Sequence, residues 1–504
     1  MGSTPRRVLA LVLGALALAQ AAAALRYPLG SDPSLFQYHA WAMTEGVMPY
    51  RDSMEFNSPG VILLHLAVTS LLGFSDAAFI AFTLGVTALA ALLGLRWLAP
   101  RVSADALLVA GAVALLAASS ITPWDRGQRE LFQGALLGGA FLLASRGHSF
   151  GAGVAAGFAT LIKWPLVALL WPLWVLWLFL GARRGRSSAG GTPLRRAAAS
   201  FLGFALPLVV TAAWLHGNDA LLPFLAIQRL VLPGHLGAMN APVSELLLGR
   251  WPLAMAAVAG LAILAANRRS ESERAEGTAG AALLLGVTAL LVLVLYLVQR
   301  KGWSYQLHTG VVFLAPLCGL LFERLVPARV AGRAALAVAA LVAAQVTTTT
   351  IYDHGTGLER AHRVGGHWDH DAMVAVASLL QKGAASDRVQ TNDDELQLLL
   401  LARRRAASPF VYGFLSSEAH PDPALRRLAL ERVDAIHRSP PEWVVWNTRP
   451  FRPELDALEA NPTFASLLRT TCRELADAPH PYRVFRCKGS VPSLDGPRLL
   501  EKEL

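Results

Sequence analysis

Cysteine is nearly missing from these 504 residues, three in all, so no framework of disulfides carries the fold. Charge is scarce as well: Asp, Glu, Lys and Arg make up 16%, far below what keeps a chain disordered in water. No H-E-x-x-H occurs, which removes the commonest zinc-hydrolase signature. Solenoid repeats are missing too. What is abundant is apolar surface, with 54% hydrophobic residues and a mean hydropathy of +0.43. A soluble fold of this length cannot hide so much, so the composition points to several membrane spans.

Lys and Arg outnumber Asp and Glu by 45 to 35, a balance that in a soluble protein would suggest nucleic acid as a partner. The distribution excludes it. Most Arg residues lie in short loops between apolar runs, the pattern by which a polytopic protein marks its cytoplasmic side. Membrane lipids are therefore the expected surroundings.

Apolar segments of spanning length, or close to it, occupy residues 8–25, 77–95, 103–120, 131–146, 149–163 and 164–181. Others occupy 200–216, 251–267, 278–298, 304–323 and 331–350. The expectation is an α-helical polytopic membrane protein with about eleven spans. Residues 1–25 also have the shape of a signal peptide, with Arg6 and Arg7 ahead of an apolar core; an uncleaved first span is the expected form.

The run SPGVILLHLAVTSLLGF, residues 58–74, decides the topology, because counting it as a span inverts every later loop. With this run lying in the interface, cytoplasmic loops hold about sixteen Lys/Arg and short outer loops about nine. Residues 26–76 then form an outer loop with a juxtamembrane helix. From about residue 353 the chain turns polar, and strand-like pieces (RVQTND, SPFVYGF, PEWVVWN, YRVFRC) alternate with helical ones. Residues 1–352 are read as the membrane domain, and 353–504 as a small extracytoplasmic α/β domain. Cys472 and Cys487 fall in the latter, where pairing and two free thiols are both open.

This topology gathers polar residues on one face. The first outer loop brings Asp32, His39, Glu45, Arg51, Asp52, Glu55 and Asn57; TPWDRGQRE brings Asp125, Arg126, Gln128, Arg129 and Glu130. LIKWP places Lys163 at a helix end, and VQRKGWSYQLH brings Gln299, Arg300, Lys301, Trp303, Tyr305 and His308. Alone, Lys163 reads as snorkelling, Glu130 as a partner of the helix dipole and Asp32 as an N-cap ahead of Pro33. Together they supply a carboxylate to accept a proton and cations to hold a phosphate. His354, His362, His367 and His370 crowd the start of the polar domain with Asp353 and Asp369. They match no zinc spacing, so a solvated linker is expected; a divalent metal is the one cofactor for which the residues leave room.

The order of these motifs resembles the C-type glycosyltransferases, polytopic enzymes that use polyprenyl-phosphate sugars, in the branch of the protein O-mannosyltransferases and lipid A aminoarabinose transferases. Asp32 after the first span, then Gly46, Pro49, Tyr50, Arg51 and Asp52, then Asn57, Ser58 and Pro59 resemble the family's first outer loop. The family more often has His-Pro-Pro or Lys-Pro-Pro at those last three. The resemblance implies inverting transfer of a sugar to a glycan, lipid or protein acceptor on the outer face of the cell membrane. It implies Asp32 as general base; Lys163, Arg129, Arg300 or Lys301 on the donor phosphate; Glu130 or Glu55 orienting acceptor or cations; and Gln128, Trp303 and Tyr305 near the substrate. A transporter or flippase of lipid-linked sugars, which would place its charges near the midplane and show inverted repeats, and a non-catalytic scaffold are the competing readings.

Overall fold

The computed structural model describes residues 4–99, 102–119, 127–164, 167, 170, 172–175, 192–237, 241–248, 255–261, 278–301, 304–325, 370–392, 396–449 and 453–487. The expected spans at 164–181 and 251–267 fall partly outside these, and that at 331–350 wholly so. Asp125, Arg126, Trp303, His354, His362, His367, Asp353, Asp369 and the boundary expected near 353 also lie outside the described residues.

The membrane part is helical. Helices α1 (Thr4–Ala24), α2 (Ser31–Thr44), α3 (Pro59–Leu72), α4 (Asp76–Leu98) and α5 (Ala104–Ser119) are followed by α6 (Arg129–Ser145) and α7 (Ser149–Ile162). Next come α8 (Pro193–Gly217), α9 (Leu221–Gly237), α10 (Thr278–Gln299) and α11 (His308–Leu325). Among the described residues five helices are long and apolar enough to cross a membrane: Pro5–Ala24, Asp76–Leu98, Pro193–Gly217, Gly280–Gln299 and Tyr305–Arg324.

The decisive run at 58–74 becomes α3, a helix of 14 residues. At 1.5 Å per residue that is about 21 Å, well short of a hydrocarbon core of about 30 Å. Helices α5 and α7, counted as spans from the sequence, have 16 and 14 residues; by the same arithmetic they cross only where the bilayer thins around them.

Lipid tails are as apolar as leucine, so helices in a bilayer associate by close packing of small residues. Ala10 and Ala17 of α1 and Ala106 and Ala110 of α5 are fully buried in one core. Gly153 and Gly157 of α7 face Gly203 and Pro207 of α8 so closely that a Cβ on Gly153 would strike the Ser200 carbonyl oxygen, and one on Gly203 that of Phe150. The Ser200 hydroxyl donates to the Ser149 carbonyl across the same seam at 3.1 Å.

The C-terminal part carries helices α12 (His370–Gln381), α13 (Leu396–Ala402), α14 (Pro423–Arg438) and α15 (Pro462–Thr471) around a four-stranded sheet. Its strands are β1 (Val389–Thr391), β2 (Trp443–Asn447), β3 (Cys472–Glu474) and β4 (Tyr482–Cys487), in the order β1-β2-β4-β3. β1 runs parallel to β2, with Val389 opposite Trp443; β4 runs antiparallel to both its neighbours. Cys472 lies opposite Cys487, and the two form a disulfide. Helix α15 stops at Thr471, where the chain turns into an edge strand held by that bond.

SPFVYGF departs from its strand-like pattern. Residues 408–413 are irregular and lead into a 3₁₀ turn at Phe414–Ser416. Their polar groups are spent elsewhere: the Pro409 carbonyl accepts from Met54 N at 2.7 Å, and the Ser408 hydroxyl donates to Gln390 at 2.7 Å. The segment docks on the loop between α2 and α3 instead of joining the sheet. One apolar core accordingly unites Leu35, Phe36, Tyr38 and Trp41 of α2 with Val389, Leu396, Leu399 and Val445 of the C-terminal part. In water each such side chain contributes about 1.5–3 kcal/mol when fully covered.

Candidate active site

Three chain segments converge because of where helices begin and end. α6 and α7 form a hairpin turning at Arg146, Gly147 and His148, so the start of one lies level with the end of the other. Gly127, just ahead of α6, has φ +75°, and a Cβ there would lie 2.8 Å from Leu29; the left-handed turn and the crowding both require glycine. α2 starts at Ser31 with Gly30 as its N-cap. Asp32 is therefore in the first turn rather than at the cap itself, where its negative charge suits the helix dipole.

At this junction Lys163 Nζ lies 2.5 Å from Glu130 Oε1. Arg129 Nε lies 3.9 Å from the same oxygen, and the Arg129 guanidinium donates to Asn57 Oδ1 and covers the Phe36 ring at 5.3 Å. Gln128 Nε2 donates to Asp32 Oδ2 at 3.4 Å, which brings Asp32 within electrostatic reach of Arg129, Glu130 and Lys163. Burial pushes the Asp32 carboxyl above its ordinary value, with the Glu130 charge adding to it and Arg129, Gln128 and Lys163 opposing. Lys163 Nζ also stands 5.7 Å from the centre of the Tyr305 ring.

Glu130, Gln133, Lys163, Gln299, Gln306 and Thr309 line an open cleft together with the apolar Val292, Leu295 and Tyr296 of α10. Gln306 Nε2 donates to Gln299 Oε1 at 2.9 Å, and Thr309 Oγ1 donates to the Glu130 carbonyl at 3.2 Å. The remaining oxygen of Glu130, Oε2, is buried without a hydrogen-bond partner. Such a cleft offers one cation, Lys163, with Arg129 close by, an acceptor oxygen for a ligand's donor groups, and apolar side chains beside them.

Glu55 sits one layer out and is fully buried. Its Oε1 accepts from the Asn57 backbone N–H at 2.6 Å and side-chain amide at 2.7 Å. Its Oε2 accepts from the Tyr412 hydroxyl at 2.8 Å and lies 2.9 Å from His39 Nε2. Burial alone would raise its pKa, but His39, the Asn57 N–H and Tyr412 outweigh it and hold the carboxyl below its ordinary value.

Asp32, Gln128, Arg129, Glu130, Lys163 and Tyr305 are thus brought together, with Glu55 joined through Asn57. Arg300 is not: its Nε donates to the Ala241 carbonyl at 3.2 Å, away from the cluster. Lys301 is buried beside it. Arg51 and Asp52 pair with each other at 2.7 Å, and Asp52 accepts from Met48 N, bracing a turn in which Tyr50 has φ +71°. Among the described residues no three His, Cys, Asp or Glu side chains converge to hold a metal. Gln133, Gln306, Thr309 and Tyr412 were not singled out from sequence. Gln133 falls three residues after Glu130 and Thr309 four after Tyr305, helical spacings that would have flagged both.

No family model matches the chain, and no curated protein matches it by sequence. Solved structures do match. The crystal structure of ArnT from Cupriavidus metallidurans bound to undecaprenyl phosphate superposes with a TM-score of 0.58 at 16% identity, covering 96% of this chain and 99% of that one. The apo state of the same protein gives 0.55 at 16%, covering 94% and 97%. Over nearly its whole length, then, the chain shares the fold of ArnT, mostly helical and with several helices long and apolar enough to cross a membrane.

Proposed function

We propose that the protein is a membrane glycosyltransferase that moves a sugar from a polyprenyl-phosphate donor to an acceptor on the outer face of the cell membrane. The observation that carries this reading is the convergence of Asp32, Arg129, Glu130 and Lys163 from three helix ends beside a cleft lined by both polar and apolar side chains. Lys163 and Arg129 hold the donor phosphate, Lys as a point charge and Arg through a fork of donors. Glu130 keeps both cations aimed. The polyprenyl tail lies along the α10 flank.

Asp32 takes the proton from the acceptor hydroxyl or amine as that group attacks the anomeric carbon from the side opposite the phosphate. The bond between that carbon and the phosphate oxygen breaks, the configuration inverts, and polyprenyl phosphate leaves with its new charge neutralised by Lys163 and Arg129. A raised pKa brings Asp32 closer to the working pH, where a base is most effective.

The outer placement is supported by the distribution of Arg between loops and by the Cys472–Cys487 disulfide, since such bonds persist outside the cytoplasm. In this arrangement the part beyond about residue 353 is an extracytoplasmic domain that rests on the first outer loop.

The test is to supply purified protein in detergent with a panel of polyprenyl-phosphate sugars and an envelope extract as acceptor. One donor should be consumed, and consumption should stop in Asp32→Asn. If no donor is consumed and none raises the melting temperature, the reading is wrong.

A further inference from the structure

The first outer loop and the C-terminal part share one carboxylate. Glu55 is fully buried and divides its oxygens between them: Oε2 toward Tyr412, Oε1 toward Asn57. Because the Asn57 backbone and side-chain N–H groups both donate to Oε1, the amide is held with its carbonyl turned the other way. That carbonyl accepts from the Arg129 guanidinium. A continuous set of hydrogen bonds thus runs from Tyr412, 355 residues from Asn57 in sequence, to a cation in the electrostatic neighbourhood of Asp32.

Arg129 needs such a tie. A guanidinium on a long stem has many rotamers, and a group that grips a phosphate by a fork must be held within a fraction of an ångström. The Phe36 ring faces Arg129 at 5.3 Å and Glu130 lies 3.9 Å from Nε; Asn57 supplies the tie toward the outer loop. The Tyr412 ring packs on Phe56 with centroids 4.8 Å apart, so its hydroxyl can be removed while the seat of the aromatic ring stays filled.

We propose that Tyr412 is a positioning residue: through Glu55 and Asn57 it holds Arg129 in register for the donor phosphate, so that donor binding depends on how the C-terminal part sits on the first outer loop. This rests on the functional reading above, in which Arg129 meets that phosphate.

The experiment is a double-mutant cycle on the full-length protein in detergent, reading the affinity for purified polyprenyl phosphate. Arg129→Ala should weaken binding on the order of 100-fold, and Tyr412→Phe about 10-fold. Tyr412→Phe placed on Arg129→Ala should add nothing, because the group it positions is gone. Should Tyr412→Phe fold poorly, Asn57→Ala cuts the same connection from a partly exposed loop position and enters the same cycle.

An effect of Tyr412→Phe, or of Asn57→Ala, that persists undiminished on Arg129→Ala overturns the proposal. So does wild-type affinity in Tyr412→Phe and Asn57→Ala while Arg129→Ala is weakened, and in both cases the functional reading stands. If instead Arg129→Ala binds the lipid as tightly as wild type, or wild type does not bind it, the assignment of Arg129 to the phosphate falls, and the positioning role with it.

Discussion

Glu130 and Lys163, 33 positions apart, meet at 2.5 Å because the α6–α7 hairpin returns the chain to the level at which it began. Glu130 is buried, and its partner is the nearest compensation for its charge. Removing one member of a buried pair strands the other, at a cost of about 3–5 kcal/mol. Lys163→Met alone should therefore lower the melting temperature sharply. Lys163→Met with Glu130→Gln should recover most of the lost stability yet bind no donor lipid. Thermal melts and lipid binding on the single and double variants check both halves; recovery of activity together with stability would count against a role for the pair in binding.

Asp32→Asn should leave the affinity for polyprenyl phosphate close to wild type while turnover falls on the order of 10²- to 10⁴-fold, the usual contribution of a placed base. The same variant tests the charge state. A carboxyl whose pKa is raised on folding holds its proton more tightly in the native chain, so stability falls as pH rises from the unfolded value through the folded one. Asp32→Asn should accordingly melt higher than wild type at neutral pH, and the gain should vanish below the ordinary value of 3.8.

Glu55 carries the opposite sign. Its pKa is depressed on folding, so its contribution to stability is present above the unfolded value of 4.5 and is lost as pH falls through the folded one. Glu55→Gln should flatten that acid limb in melts recorded from neutral pH downward. An unchanged limb would mean that the contacts of Glu55 with His39, Asn57 and Tyr412 do not stabilise its charged form.

The α7–α8 seam should tolerate no added bulk. A Cβ on Gly203 would meet the Phe150 carbonyl, a backbone atom that cannot turn aside. Gly203→Val should destabilise by about 1–3 kcal/mol, the usual range for overpacking, whereas Gly139→Ala, where a Cβ meets nothing within 4 Å, should not. Melting temperatures of the two variants in one detergent decide it.

Replacing Cys472 and Cys487 by Ser should cost about 3 kcal/mol, because the bond closes a loop of 15 residues. The loss should be local to the C-terminal part, seen as earlier proteolysis near β3 and β4, with donor-lipid binding affected only once that part detaches. Reduction of the wild-type protein by dithiothreitol should reproduce the effect.

Much of the site was legible because its charged members stand at the ends of apolar runs. Asp32, Glu130 and Lys163 each close or open a long hydrophobic stretch, and burial makes such charges costly enough to need partners. The Asn57–Glu55–Tyr412 connection was not legible: it depends on which way two amide groups turn and on a contact between distant segments. SPFVYGF misled for a related reason. Its residues 408–413 are all buried, and a short apolar run bounded by Pro and Gly reads the same in a buried strand and in a buried irregular segment. Arg300 carried the expected charge at the expected place, but a left-handed backbone at φ +50° turns the chain there, and its side chain is taken by Ala241.

The Tyr38 hydroxyl accepts from Ala406 N at 2.8 Å, and Met54 N donates to Pro409. The polar stretch that follows α1 is thus completed by contacts with a segment whose Ala406 stands 368 positions beyond Tyr38. A chain interrupted before residue 406 would leave this stretch without its cover, so the site beside it is complete only after the C-terminal part has been made and docked.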